Sequence, residues 1–211
     1  MTQDLHLDRQ DAETLDRVLR WRRDVRHFRP DPIPEPLIAE LQALMELAPS
    51  VGNARPWRVV RVDSPTLRAA VREDFARCNA AAATTYAGDQ RDAYLSLKLA
   101  GLDLAPLQLA VFTRIDPPEG HGLGRATMPE TLRQSTAMAI HTLWLAARAR
   151  NLGLGMVSIL DPARIGPLLG TPADWEFTAW LCLGWPEFTD DLPLLHRSGW
   201  QQNRARPWDR R

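Results

Sequence analysis

The chain has 211 residues, 45% of them hydrophobic, which suits one sizeable core better than two, so residues 1–211 are expected to form a single domain. Its 26 basic and 26 acidic side chains cancel, which argues against non-specific nucleic-acid binding, because that needs a net positive field. Two cysteines far apart, Cys78 and Cys182, and five histidines without HxH or HExxH spacing form neither a disulfide framework nor a metal site by pattern.

The N-terminal stretch is polar and acidic, unlike a signal peptide, and no run approaches the roughly 18 apolar residues of a membrane span. A cytoplasmic protein without membrane contact is expected. Residues 11–23 read as a first helix, with Leu15, Val18 and Leu19 along one side. Pro30, Pro32 and Pro34 break the chain after it. A second helix is expected over 34–48, where Leu37, Ile38, Leu41, Leu44 and Met45 recur at helical spacing. Residues 49–57 read as a loop and 57–62 as an alternating strand. Residues 65–100 look helical, with a break at 87–89. A strand over 107–115 lies between Pro106 and Pro117. After a long loop comes a helix over 130–151, stopped by Gly153 as a left-handed cap. A strand over 154–160, a brief helix opened by Asp161 and Pro162, and a strand over 177–184 complete the series. Helices thus alternate irregularly with four short strands, an α+β pattern. The segment 185–211, rich in Pro, Trp and Arg, suits an arm wrapping a partner subunit and equally a frayed tail.

Of the basic side chains only Lys98 is a lysine. Coding bias accounts for this; so does phosphate binding, since the guanidinium fork matches phosphate oxygens. The cluster Arg22-Arg23-Asp24-Val25-Arg26 ends the first helix, where arginines also complement the helix dipole. The stretch Pro49-Ser50-Val51-Gly52-Asn53-Ala54-Arg55-Pro56-Trp57 offers donors to a polar ring edge; taken alone it is a turn. Gly120, Gly122 and Gly124 lack the Lys-Ser/Thr of a phosphate loop, and Ser158 sits in no GxSxG elbow.

Together, the arginine cluster and the 49–57 stretch resemble the FMN signature of the nitroreductase-like family. Ordered matches continue through residues 94–99, 105–107, 123–130, 143–148, 157–162, 181–184 and 199–200, then Arg204. Most members carry Ser or another small residue where this chain has Asp24, which makes it similar to the branch that fragments its flavin. Asn53-Ala54-Arg55 departs from the hydrophobic-Gln stretch usual before Pro56-Trp57.

The resemblance implies a central, mostly antiparallel sheet flanked by helices, in a homodimer that buries FMN between its subunits. It implies reduced FMN as a substrate, broken down with dioxygen (O2) to 5,6-dimethylbenzimidazole, the lower ligand of cobalamin, with erythrose 4-phosphate released. A separate NAD(P)H flavin reductase would supply reduced FMN. Asp24 and Ser158 are then the expected catalytic residues, the first moving protons and the second aligning the ribityl chain. Arg22, Arg23, Arg26 and Arg204 would hold phosphate and flavin edge, Ser50 and Gly52 the ring, and Ser96 the polar tail. Val25 and Val157 would flank the flavin. Residues 78–86 would form a lid that excludes water, or an ordinary surface helix. The rival of the same fold is an NAD(P)H-dependent FMN nitroreductase that keeps its flavin intact.

Overall fold

The computed structural model describes residues 6–97 and 101–211, so Lys98 and Leu99 of the 94–99 match lie outside it. The elements are α1 (Arg9–Trp21), α2 (Glu35–Met45), β1 (Trp57–Arg61), α3 (Pro65–Ala83), α4 (Gly88–Ser96), β2 (Leu107–Arg114), α5 (Thr131–Ala149), β3 (Gly153–Val157), α6 (Pro162–Leu168), β4 (Trp175–Gly184) and α7 (Leu194–Arg197). Short 3-10 turns occur at Val51–Asn53 and Glu119–Gly122. Among the described residues no helix is long and apolar enough to cross a membrane.

The four strands form one antiparallel sheet in the order β1-β2-β4-β3. Its central strand β2 is buried along almost its whole length because both faces are covered. Leu107, Leu109 and Val111 point to a core shared with α2 and α5, while Ala110 and Phe112 point to the opposite core with Phe28, Val71, Trp180 and Cys182. That is why the sequence here is a continuous apolar run rather than an alternation. Gln108 enters the second core with its polar atoms satisfied: Trp180 Nε1 donates to its Oε1 at 3.2 Å, and its Nε2 donates to the Leu102 carbonyl at 2.8 Å.

Helix α5 is the scaffold of the first layer. Leu132, Thr136, Ala139, Ile140, Leu143 and Ala147 are buried at helical spacing against the sheet. It ends at Ala149, not at 151, and Gly153 is not its cap. Asn151 takes the left-handed conformation (φ 61°), and the Leu152 N–H closes back onto the Ala147 carbonyl at 2.9 Å. Gly153 instead opens β3, which stops at Val157, three residues short of the strand expected from sequence. Helix α1 is capped by a reciprocal Asp8–Asp11 box but buries no residue, and Leu15 and Leu19 stay exposed. In the C-terminal segment, Trp200 packs edge-on to Tyr86 at 5.5 Å and tilted against Tyr94 at 6.2 Å.

Candidate active site

Past Trp21 the chain leaves helical geometry at Arg22 (ψ 112°) and runs beside the outer edge of β3. The Val25 N–H donates to the Leu154 carbonyl at 3.1 Å, and the Met156 N–H donates to Asp24 Oδ1 at 2.9 Å. This close approach requires glycine in the strand. A Cβ on Gly155 would stand 2.1 Å from the Val25 carbonyl oxygen, and one on Gly153 would stand 2.7 Å from a Val25 methyl. From α5, Trp144 Nε1 donates to the Arg23 carbonyl at 3.1 Å, and the Arg22 guanidinium lies over the Trp144 ring at 4.9 Å. Phe28, fully buried, anchors the far end of the turn.

The turn concentrates charge. Arg26, only 14% exposed, pairs with Asp24 Oδ2. Removal of solvent by packing holds the Asp24 carboxyl above the ordinary carboxylate range, against the opposing pull of Arg26, the Met156 amide and Arg22. Its side chain is still 38% exposed, so water screens that effect. Burial likewise lowers the Arg23 pKa, with Arg22 adding repulsion and Asp191 and Asp190 opposing. Arg23 Nε is buried without a hydrogen-bond partner, an orphaned donor in a cluster of positive charge. Arg22, Arg23, Asp24, Arg26, Trp144 and Arg148 are among the residues lining a cleft of about 70 Å³.

Ser158 is the first residue beyond β3 and is exposed, while Val157 is buried in the second core, which leaves only its backbone for a ligand. The Asp24 carboxylate is thus bonded to β3 at Met156, two residues before Ser158. Ser50 and Gly52 dock on α5 through the Val51 N–H, which donates to Ser135 Oγ at 3.0 Å. Ser135 lies nine residues before Trp144 on that helix, roughly 14 Å at 1.5 Å per residue. Gly52 has φ 55°, and a Cβ there would stand 2.9 Å from the Gly120 carbonyl oxygen, so the 119–123 loop packs directly on it. Ser96 closes α4 with its hydroxyl on the Ala93 carbonyl at 2.7 Å, and Arg204 is exposed past α7. Neither lines the cleft.

Sequence reasoning missed Glu46. The Asn53-Ala54-Arg55 departure holds two non-glycine residues at positive φ, Asn53 (55°) and Arg55 (48°). Glu46 restrains it: its carboxylate pairs with Arg55 and accepts from Trp57 Nε1 at 3.0 Å, while the Arg55 N–H donates to Ser50 Oγ at 3.0 Å. The available signal was an acid at the end of α2, just before the loop. The Gly-x-Gly of β3 was the corresponding signal for the approach of the arginine turn.

Residues 19–185 match the family model for the nitroreductase family. A 5,6-dimethylbenzimidazole synthase of Rhodobacter capsulatus is 66% identical over 98% of this chain and 100% of its own length. One of Rhodospirillum rubrum is 57% identical over 93% of each chain. Among solved structures, an iodotyrosine deiodinase bound to FMN and 3-iodo-L-tyrosine superposes with a TM-score of 0.72 at 21% identity, covering 93% of this chain and 97% of its own, which concerns the fold alone. The chain belongs to the nitroreductase family.

Proposed function

We propose that the protein fragments reduced FMN in an oxygen-dependent reaction that yields 5,6-dimethylbenzimidazole for the cobalamin lower ligand, with erythrose 4-phosphate released. The observation that carries this is a half-buried carboxyl group, Asp24, inside an arginine turn, paired with Arg26 and bonded to a backbone amide two residues before Ser158. The near full-length relatives that bear the synthase name support it.

The residues fit a flavin phosphate. Arg23 presents an orphaned buried donor, and Arg22 and Arg26 add guanidinium forks for phosphate and flavin edge, with Arg204 as a further ligand. Ser50, Gly52 and the backbone of Val25 and Val157 would meet the ring system, and Ser96 the polar tail. Bound reduced FMN supplies the electrons and carbon framework, and O2 is the oxidant. Asp24, its pKa raised by burial, accepts and returns protons, while Ser158 offers a hydroxyl that aligns the ribityl chain. Helix α1 leaves Leu15 and Leu19 uncovered, which favours a homodimer with FMN between subunits and the 185–211 arm on the partner. The setting would be the cytoplasm, with a separate NAD(P)H flavin reductase supplying reduced FMN.

Incubation with chemically reduced FMN and air, followed by mass spectrometry, tests the proposal. Benzimidazole product is expected from the parent, and Asp24→Asn and Ser158→Ala should bind FMN yet yield none. Return of oxidised FMN alone would instead favour a nitroreductase that recycles its flavin.

A further inference from the structure

Asp74, on α3, is a charged residue that the proposed chemistry leaves unused, yet it is 4% exposed. A carboxylate is not buried so deeply without partners. Its Oδ1 accepts from Arg77 at 2.7 Å and pairs with Arg164 Nε at 3.2 Å; its Oδ2 accepts the backbone N–H of Asp161 at 2.8 Å. Arg77 also reaches the Asp161 carboxylate at 3.1 Å, while Asp161 Oδ1 caps α6 by accepting from the Ala163 N–H at 3.0 Å. All of these bonds converge on the turn between β3 and α6.

That turn carries Ser158. The last sheet pair of β3 is Val157 with Trp180, and the bond from the Asp161 amide lies four residues on. Between them Val157 and Leu160 are buried and Ser158 is exposed. On the N-terminal side the Met156 amide is held by Asp24 at 2.9 Å, and on the C-terminal side the Asp161 amide is held by Asp74 at 2.8 Å. Two carboxylates on distant segments thus grip the backbone on either side of the serine. A bond to an ionised acceptor is shorter and stronger than a neutral one, which suits a pin at an otherwise open strand end.

We infer that Asp74 is a positioning residue for Ser158, fixing the β3–α6 turn so that the hydroxyl is presented on the Asp24 side of the strand. The inference deepens the proposed function and rests on it for the role of Ser158. Misplacement of a reacting group by an ångström costs about a hundredfold in favourable cases, so loss of the pin should be visible in turnover. Asp74→Ala should lower kcat for benzimidazole formation by about tenfold or more, with the FMN Kd changed less than about twofold. Asp74→Asn, which keeps an oxygen for the Asp161 amide, should recover most of that loss. Hydrogen exchange gives a readout independent of turnover: the Asp161 amide should exchange faster in Asp74→Ala than in the parent, with the middle of α5 unchanged. Should Asp74→Ala fail to fold, Arg77→Gln, which removes one strut, should give an intermediate loss of turnover and intermediate exchange at the Asp161 amide. A turnover loss in Asp74→Ala that Asp74→Asn does not recover, or an Asp161 amide with unaltered exchange, would overturn the inference. A parent that makes no product would sink the proposed function instead, and exchange at Asp161 would still decide whether Asp74 holds the turn.

Discussion

The substitution Gly155→Ala tests whether the arginine turn is built on β3 as described. An added Cβ would sit 2.1 Å from the Val25 carbonyl oxygen, where real Cβ atoms keep at least 3.0 Å, so turn and strand must part by about 0.9 Å. Parting stretches two bonds, from the Val25 N–H to the Leu154 carbonyl and from the Met156 N–H to the Asp24 carboxylate. The first contributes about 1 kcal/mol net and the second about 1.5–3 kcal/mol, the lower end applying to a group as exposed as Asp24. A loss of roughly 2–3 kcal/mol follows, or about 5–10 °C in Tm for a chain of this size. Circular dichroism melts would measure it, with Gly166→Ala in α6 as the control, since a Cβ there meets nothing within 4 Å. That control should be neutral or slightly stabilised, because alanine favours a helix over glycine. FMN affinity, read by quenching of flavin fluorescence, should fall in Gly155→Ala and hold in Gly166→Ala. A Gly155→Ala protein melting within about 2 °C of the parent, with FMN affinity intact, would refute the packing of the turn on the strand.

Two other measurements probe buried titratable groups. Because the Asp24 pKa is raised, the folded protein holds that proton more tightly than the unfolded chain, and stability from this group falls as pH rises from the ordinary carboxylate value to the raised one. Asp24→Asn mimics the neutral form, so its Tm relative to the parent should climb across that window and level off above it; a difference that is flat or falls would contradict the shift. Cys182 is fully buried and its thiol is pushed up to about 12 by burial, while burial and the nearby Asp74 also raise Cys78. Thiol titration near pH 8 should therefore find Cys182 unreactive until denaturant is added and Cys78 slow, whereas fast labelling of both in the native protein would contradict the core packing.

The elements with a complete local signal were legible. Helix α5 shows its buried face as a 3.6-residue period, α6 announces itself with an Asp cap followed by proline, and β2 is bounded by prolines. Errors fell where a tertiary contact decides the local outcome. Gly153 looked like a helix cap because glycine is the usual left-handed residue, yet Asn151 takes that role and Gly153 is small for the sake of Val25, more than 120 positions away. Strand β3 was read as running to Leu160 because Ile159 and Leu160 are apolar; Leu160 is indeed buried, but in the turn that Asp74 holds, outside the ladder. Within the site, Asp24 stood out as an acid among arginines, whereas Glu46 and Asp74 looked like ordinary helix-surface acids. Nothing in their own neighbourhoods reveals that their partners are Trp57 and Asp161.

This geometry also limits how Asp24 can act. One carboxylate oxygen, Oδ1, is committed to the Met156 amide, and giving it up would loosen the strand edge that leads to Ser158. The other, Oδ2, faces the Arg26 guanidinium. On the proposed function the proton must therefore come and go at Oδ2, and Arg26 must swing aside whenever Asp24 is neutral, since a protonated oxygen offers that guanidinium little. Packing favours the neutral acid at Asp24 and Arg26 favours the anion. A serine at this position, as in most of the family by resemblance, could accept the same amide bond but could not store the proton. On the proposed function, the acid would add proton transfer while keeping the strand-edge bond to Met156.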